Sequence, residues 1–159
     1  MAGTSDYLSV EFACAMVYEI KVPNGGAMRI LVVEDEFTSR KLLTALLSDY
    51  GQCDTASDGV ECVDMFLKAL AEGKPYDLLC MDIMMPNKDG HKALKEIRAI
   101  EYEQGIHPPN ESKVIMVTAL NDPKTVVKAY YKGGAAAYLP KPIEVESLLA
   151  ILRDLALID

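Results

Sequence analysis

From residue 28 onward the sequence alternates five times between a short apolar run and a longer stretch with helical spacing. The runs are 29–33 (RILVV), 53–56, 78–81 (LLCM), 114–117 (VIMV) and 137–139. Runs this short and this apolar read as strands buried on both faces. Between them, residues 38–50 carry Leu42, Leu43, Leu46 and Leu47 at helical spacing, with Gly51 as the stop. Residues 59–72 offer Val60, Val63, Met65, Phe66, Leu67 and Leu70 as a buried side and end at Gly73. Residues 93–102 turn Leu94 and Ile97 inward with Ile100 or Ala93; residues 123–132 open on the cap pair Asp122-Pro123; residues 144–155 form the last helix. Short connections between strands and helices in strict alternation predict an α/β domain. Its core is a five-stranded parallel sheet, doubly wound, with helices on both faces. At 159 residues the chain is one domain of ordinary size.

The chemistry gathers at the strand ends. Residues 76–90, YDLLCMDIMMPNKDG, contain a buried-strand run that stops at a single acid, Asp82, followed by a loop with Pro86 and Asp89-Gly90. Glu34 and Asp35 follow the first strand, Thr118 ends the fourth and Lys141 follows the fifth. A parallel sheet brings all these ends to one edge, where open α/β sheets place their ligands. Three carboxylates there repel: at ~4 Å and an effective dielectric near 20, each pair costs roughly 4 kcal/mol. Lys141 cannot offset all of that, so either one acid is protonated or a divalent cation belongs among them. An oxygen-only donor set favours Mg2+ over zinc. A hydroxyl and an ammonium beside the acids suit an anionic oxygen group, such as a phosphoryl carried by Asp82.

Four motifs in order, RILVVEDE, CMDIMMPNKDG, VIMVTAL and AYLPKPI, resemble the receiver domain of two-component response regulators. The resemblance runs from residue 28 to about 158. It implies a CheY-like (flavodoxin-like) sheet of order 2-1-3-4-5 and a phosphorelay role. In that role Asp82 is the phosphoacceptor, fed by a histidine kinase or histidine phosphotransfer protein. It also implies that Asp35, Asp82 and the backbone carbonyl of Met84 ligate Mg2+ (or Mn2+), with Glu34 acting through water. Thr118 and Lys141 would bind the phosphoryl group, Tyr138 would be the aromatic switch residue, and Lys141-Pro142 matches a bond commonly cis in the family. Two departures stand out. Glu34 replaces the commoner Asp, and Met84 and Leu120 occupy the positions that tune hydrolysis. Neither of those two side chains can hydrogen-bond an attacking water, so a long-lived acyl phosphate is expected.

The remaining features bound this reading. A formal net charge of −8 argues against a sequence-independent grip on nucleic acid or on an anionic membrane. No apolar run approaches the roughly 20 residues that span a bilayer, and no basic residue precedes Lys21, which argues against a secretory signal. Cys14, Cys53, Cys62 and Cys80 lack C-x-x-C spacing and read as free, mostly buried thiols, consistent with a reducing, cytoplasmic setting. Residues 1–27, closed by Pro23-Asn24-Gly25-Gly26, read as an appendage to a receiver spanning 28–159; the alternative is an extra strand or helix on the domain edge. His91 and His107 read as structural rather than as ligands, Met81, Met84 and Met85 as core or loop filling. Asp58-Gly59 and Asp89-Gly90 read as turn signals rather than chemistry.

The expected protein is therefore a stand-alone receiver, a monomer or a dimer that forms on phosphorylation. It would work as a switch rather than an enzyme, beyond accepting and slowly losing its own phosphoryl group. An aspartyl-phosphate phosphatase is the enzymatic rival, but such enzymes carry a second acid where Met84 stands. A nucleotide-binding domain would need a glycine-rich loop after the first strand, and a phosphorylation-independent scaffold would not need the assembled site.

Overall fold

The structure, a computed structural model, describes residues 27–119 and 134–159. Among these residues nine elements follow in order: β1 (Met28–Val33), α1 (Phe37–Leu47), β2 (Gly51–Ala56), α2 (Gly59–Ala71), β3 (Leu78–Asp82), α3 (Gly90–Glu103), β4 (Lys113–Thr118), β5 (Ala137–Pro140) and α4 (Val145–Asp154). The helix expected over 123–132, and Leu120 before it, lie outside the described residues.

All strand pairs are parallel and the sheet order is β2-β1-β3-β4-β5, the doubly wound arrangement expected from the alternation. The chain winds one way from β1 to β2 and the other way from β3 to β5. The crevice where the order reverses therefore opens between the C-terminal ends of β1 and β3. Successive residues of β1 serve opposite faces. Leu31 and Val33 pack with Cys62, Val63, Phe66 and Ala69 of α2 and Ala93, Leu94 and Ile97 of α3. Ile30 and Val32 pack with Leu43 and Leu47 of α1 and Leu148 and Leu152 of α4. Every residue of β3 is buried, so Asp82 ends a strand enclosed on both sides.

Two local readings change. Gly51 does not merely stop α1; it opens β2 opposite Met28. A Cβ at this position would fall well inside the 3.0 Å that real Cβ atoms keep from the Met28 carbonyl oxygen. The buried stripes of two helices are also rotated from expectation. Leu42 of α1, and Val60 and Leu67 of α2, face outward, while Cys62 and Ala69 take the inward positions on α2.

At the N-terminal end of the sheet, charges are matched locally. Arg29 sits 3.1 Å from Asp54, which also accepts the Tyr76 hydroxyl at 2.7 Å. Asp77 accepts the backbone N–H of Arg29 at 2.8 Å. Glu101 is buried, yet Arg98 donates to it at 2.6 Å and the Ser112 N–H at 2.8 Å. Ser112 in turn donates its hydroxyl to the Tyr76 carbonyl at 2.5 Å.

Candidate functional site

Glu34 extends β1 by one residue: its N–H donates to the Ala56 carbonyl at 3.1 Å, continuing the ladder with β2. The chain then turns, and Glu36 caps α1 by accepting the N–H groups of Thr38 and Ser39 at 2.9 and 2.6 Å. Those bonds favour the ionised carboxylate and hold its pKa down to about 2. The turn is braced by Arg40, whose guanidinium donates to the Glu34 carbonyl at 2.8 Å. Nothing in the sequence reading singled out Arg40; its place four residues after the cap, one helical turn back toward the acids, was the available signal.

Asp82 closes β3, and Ile83 after it still donates to Val117 of β4 at 3.0 Å. One Asp82 oxygen accepts the Met84 N–H at 3.3 Å. The other lies 3.2 Å from the Lys141 ammonium. Lys141 is fixed at its backbone by donation to the Thr118 carbonyl at 2.7 Å, and its peptide bond to Pro142 is cis. Its ammonium also lies 3.0 Å from Glu34 Oε2. Glu34, Asp35 and Asp82 each place a carboxylate oxygen within 4.8 Å of the others. Glu34 and Asp82 are buried and Asp35 is exposed. Thr118, buried at the tip of β4, pairs in register with Pro140, and Tyr138 packs half-buried against the core on the α2–α3 face. Burial pushes the Tyr138 hydroxyl up to about 12. Met84 is 64% exposed at the start of the β3–α3 loop.

Glu34, Asp35, Asp82, Met84, Thr118 and Lys141 thus stand at the C-terminal rim of the sheet, while Tyr138 lies within β5, in register with Met116. Their electrostatics are unbalanced. Burial first, and the Asp82 charge second, push the Glu34 carboxyl up to about 7, against the opposing pull of Lys141 and of the Glu36 N–H. Three acids facing one ammonium carry a surplus of negative charge whenever all are ionised. An oxygen-only donor set with one exposed member fits a hard divalent cation that keeps part of its water shell, as Mg2+ does. It offers no sulfur or imidazole for a softer metal.

A parallel α/β sheet with an acidic pocket at its switch point defines a doubly wound domain that takes its ligands at the strand ends, and sequence comparison narrows it. The response regulator receiver domain family matches residues 30–153, and the chain belongs to that family. It is 38% identical over 129 residues to chemotaxis protein CheY of Treponema pallidum, covering 80% of this chain and 81% of that protein. Among solved structures it resembles the CheX-CheY-BeF3-Mg2+ complex of Borrelia burgdorferi, with a TM-score of 0.70, 26% identity, and 86% and 92% of the two chains covered. It also resembles the complex of the Saccharomyces cerevisiae histidine phosphotransfer protein Ypd1 with the receiver domain of Ssk1. That match has a TM-score of 0.67, 26% identity and coverage of 80% and 88%. The chain is a CheY-like receiver domain of the two-component response regulator type. No helix among the described residues is long and apolar enough to cross a membrane.

Proposed function

We propose that this receiver accepts a phosphoryl group on Asp82 from a phosphohistidine and uses it to change its partner-binding surface. The observation that carries the reading is the meeting of Asp82, Glu34 and the Lys141 ammonium, from three separate strand ends, within 3.2 Å of the shared cation. Asp35 and Asp82, with the Met84 carbonyl, would hold Mg2+, and Glu34 would reach it through water. The metal supplies charge neutralisation of the incoming phosphoryl oxygens. An Asp82 oxygen attacks phosphorus in line, a P–O bond forms as the P–N bond breaks, and the imidazole leaves with that electron pair. Lys141 then turns from its acidic partners to the new phosphoryl oxygens, and Thr118 contributes its hydroxyl. Drawing Thr118 inward makes room for Tyr138, which biases the two-state equilibrium of the surface around β5 and α4.

The donor is a histidine kinase or a histidine phosphotransfer protein, as suits a chain whose structural relatives include a receiver bound to Ypd1. Phe37, 62% exposed at the start of α1, and Met84 give the rim apolar ground for such docking. Incubation with acetyl phosphate and Mg2+ tests the reading by intact mass. Wild type should gain one phosphoryl group that Asp82→Asn does not, and equal gain by both would reject Asp82. With Met84 and Leu120 at the hydrolysis-tuning positions, the adduct should persist well beyond seconds in Mg2+ buffer. Met84→Asn should shorten its life.

A further inference from the structure

The β3–α3 loop, which carries Met84, leans on the first turn of α2. The Gly59 N–H donates to the Lys88 carbonyl at 3.2 Å. Asp58, the N-cap of α2, divides its carboxylate: Oδ1 accepts the Glu61 N–H at 2.8 Å, while Oδ2 accepts the Asn87 side-chain N–H at 2.8 Å. Asn87 has φ 66°, a left-handed conformation that asparagine tolerates better than most residues. At its far end the loop is pinned to the sheet, where Gly90 N–H donates to the Ile83 carbonyl at 2.8 Å. Its outer half therefore takes its place from α2. The approach is as close as backbone allows. A Cβ on Gly59 would fall well inside 3.0 Å of the Lys88 carbonyl oxygen and at 3.0 Å from the Lys88 carbonyl carbon and Cβ, so helix or loop would have to retreat.

We propose that Asp58, Gly59 and Asn87 are positioning residues for the metal: they set where the Met84 carbonyl stands relative to Asp35 and Asp82. The inference rests on the reading of the acidic pocket as an Mg2+ site. Mg2+ demands near-ideal octahedral geometry at about 2.0–2.1 Å. Ligand constellations tolerate displacements of only about 0.5 Å, so a shift of the loop away from α2 reaches the metal. Asp58-Gly59 is thus more than the turn signal it resembles in the sequence.

Two charge-neutral variants test this. Gly59→Ala wedges the loop outward while putting a better helix former into α2. Asn87→Gly keeps the left-handed backbone free of strain while cutting the tie to Asp58. Mg2+ binding to each unphosphorylated protein is measured by calorimetric titration, beside thermal unfolding in EDTA. Wild type should bind Mg2+, and each folded variant should bind it roughly tenfold more weakly, as loss of an outer-shell partner does elsewhere. Their metal-free unfolding temperatures need not follow that order. Wild-type Mg2+ affinity in folded Asn87→Gly would overturn the proposal, whether or not Gly59→Ala folds. A change in acetyl phosphate reactivity with unaltered Mg2+ affinity would do the same. Failure of wild type itself to bind Mg2+ would instead bring down the functional reading, and this inference with it.

Discussion

The two ends of the sheet each bury a glutamate, and they treat it in opposite ways. Glu101, at the end where the strands begin, has a guanidinium at 2.6 Å and a backbone N–H at 2.8 Å. Glu34, where the strands finish, shares one ammonium with Asp82 and has Asp35 close by. Its carboxyl rises to about 7, mainly through burial. One end spends its charges on holding the fold, the other keeps negative charge in surplus. Matched charges and surplus charge are thereby separated by the length of a strand.

Removing either glutamate should expose that contrast. Glu101→Ala takes one acceptor from Arg98, which keeps the Ser112 and Gly134 carbonyls, and strips the Ser112 N–H of its side-chain acceptor. It should cost about 3 kcal/mol in urea unfolding, the range found when one partner of a buried pair is deleted. Glu34→Gln should have the opposite sign. In EDTA at pH 8 it removes a charge the fold strains to hold and should raise stability by roughly 1–2 kcal/mol, while weakening Mg2+ binding in the same titration.

A smaller, graded effect is expected from pH. The folded state holds the Glu34 proton more tightly than the unfolded chain does, with pKa about 7 against 4.5. The stability this contributes is complete below about pH 4.5 and is lost as pH rises through 7. The unfolding temperature in EDTA should therefore fall between about pH 4.5 and 7 and level off above that, and Mg2+ should flatten that slope while binding more tightly at the higher pH. Smallest of all, if residues 1–27 are an appendage, a chain starting at Met28 should unfold at the temperature of the full one, and a shortened chain that failed to fold would reject that boundary.

The site was more legible than the packing around it. Strand-terminal acids announce themselves, because an apolar run that stops at Asp82 leaves little doubt where the strand ends. The inward stripes were harder to place. On α2, Val60 and Leu67 are as apolar as the residues that are buried, and periodicity fixes the angle between stripes rather than which of them meets the sheet. β2 begins two residues before the run at 53–56, because Gly51 and Gln52 on this edge strand carry no apolar signal. Longer-range ties, such as Asn87 to Asp58 or Arg98 to Ser112, join residues whose meeting depends on how loops fold back. No local pattern records that.

Among the described residues the doubly wound sheet also has one fully buried thiol in each core: Cys62 on the inner face of α2 and Cys80 in β3, two residues before Asp82. Burial pushes both up to about 12, so neither offers a thiolate to a reagent at neutral pH until its layer opens. Alkylation followed residue by residue therefore times the parting of the two layers separately, with half-buried Cys53 as the early marker.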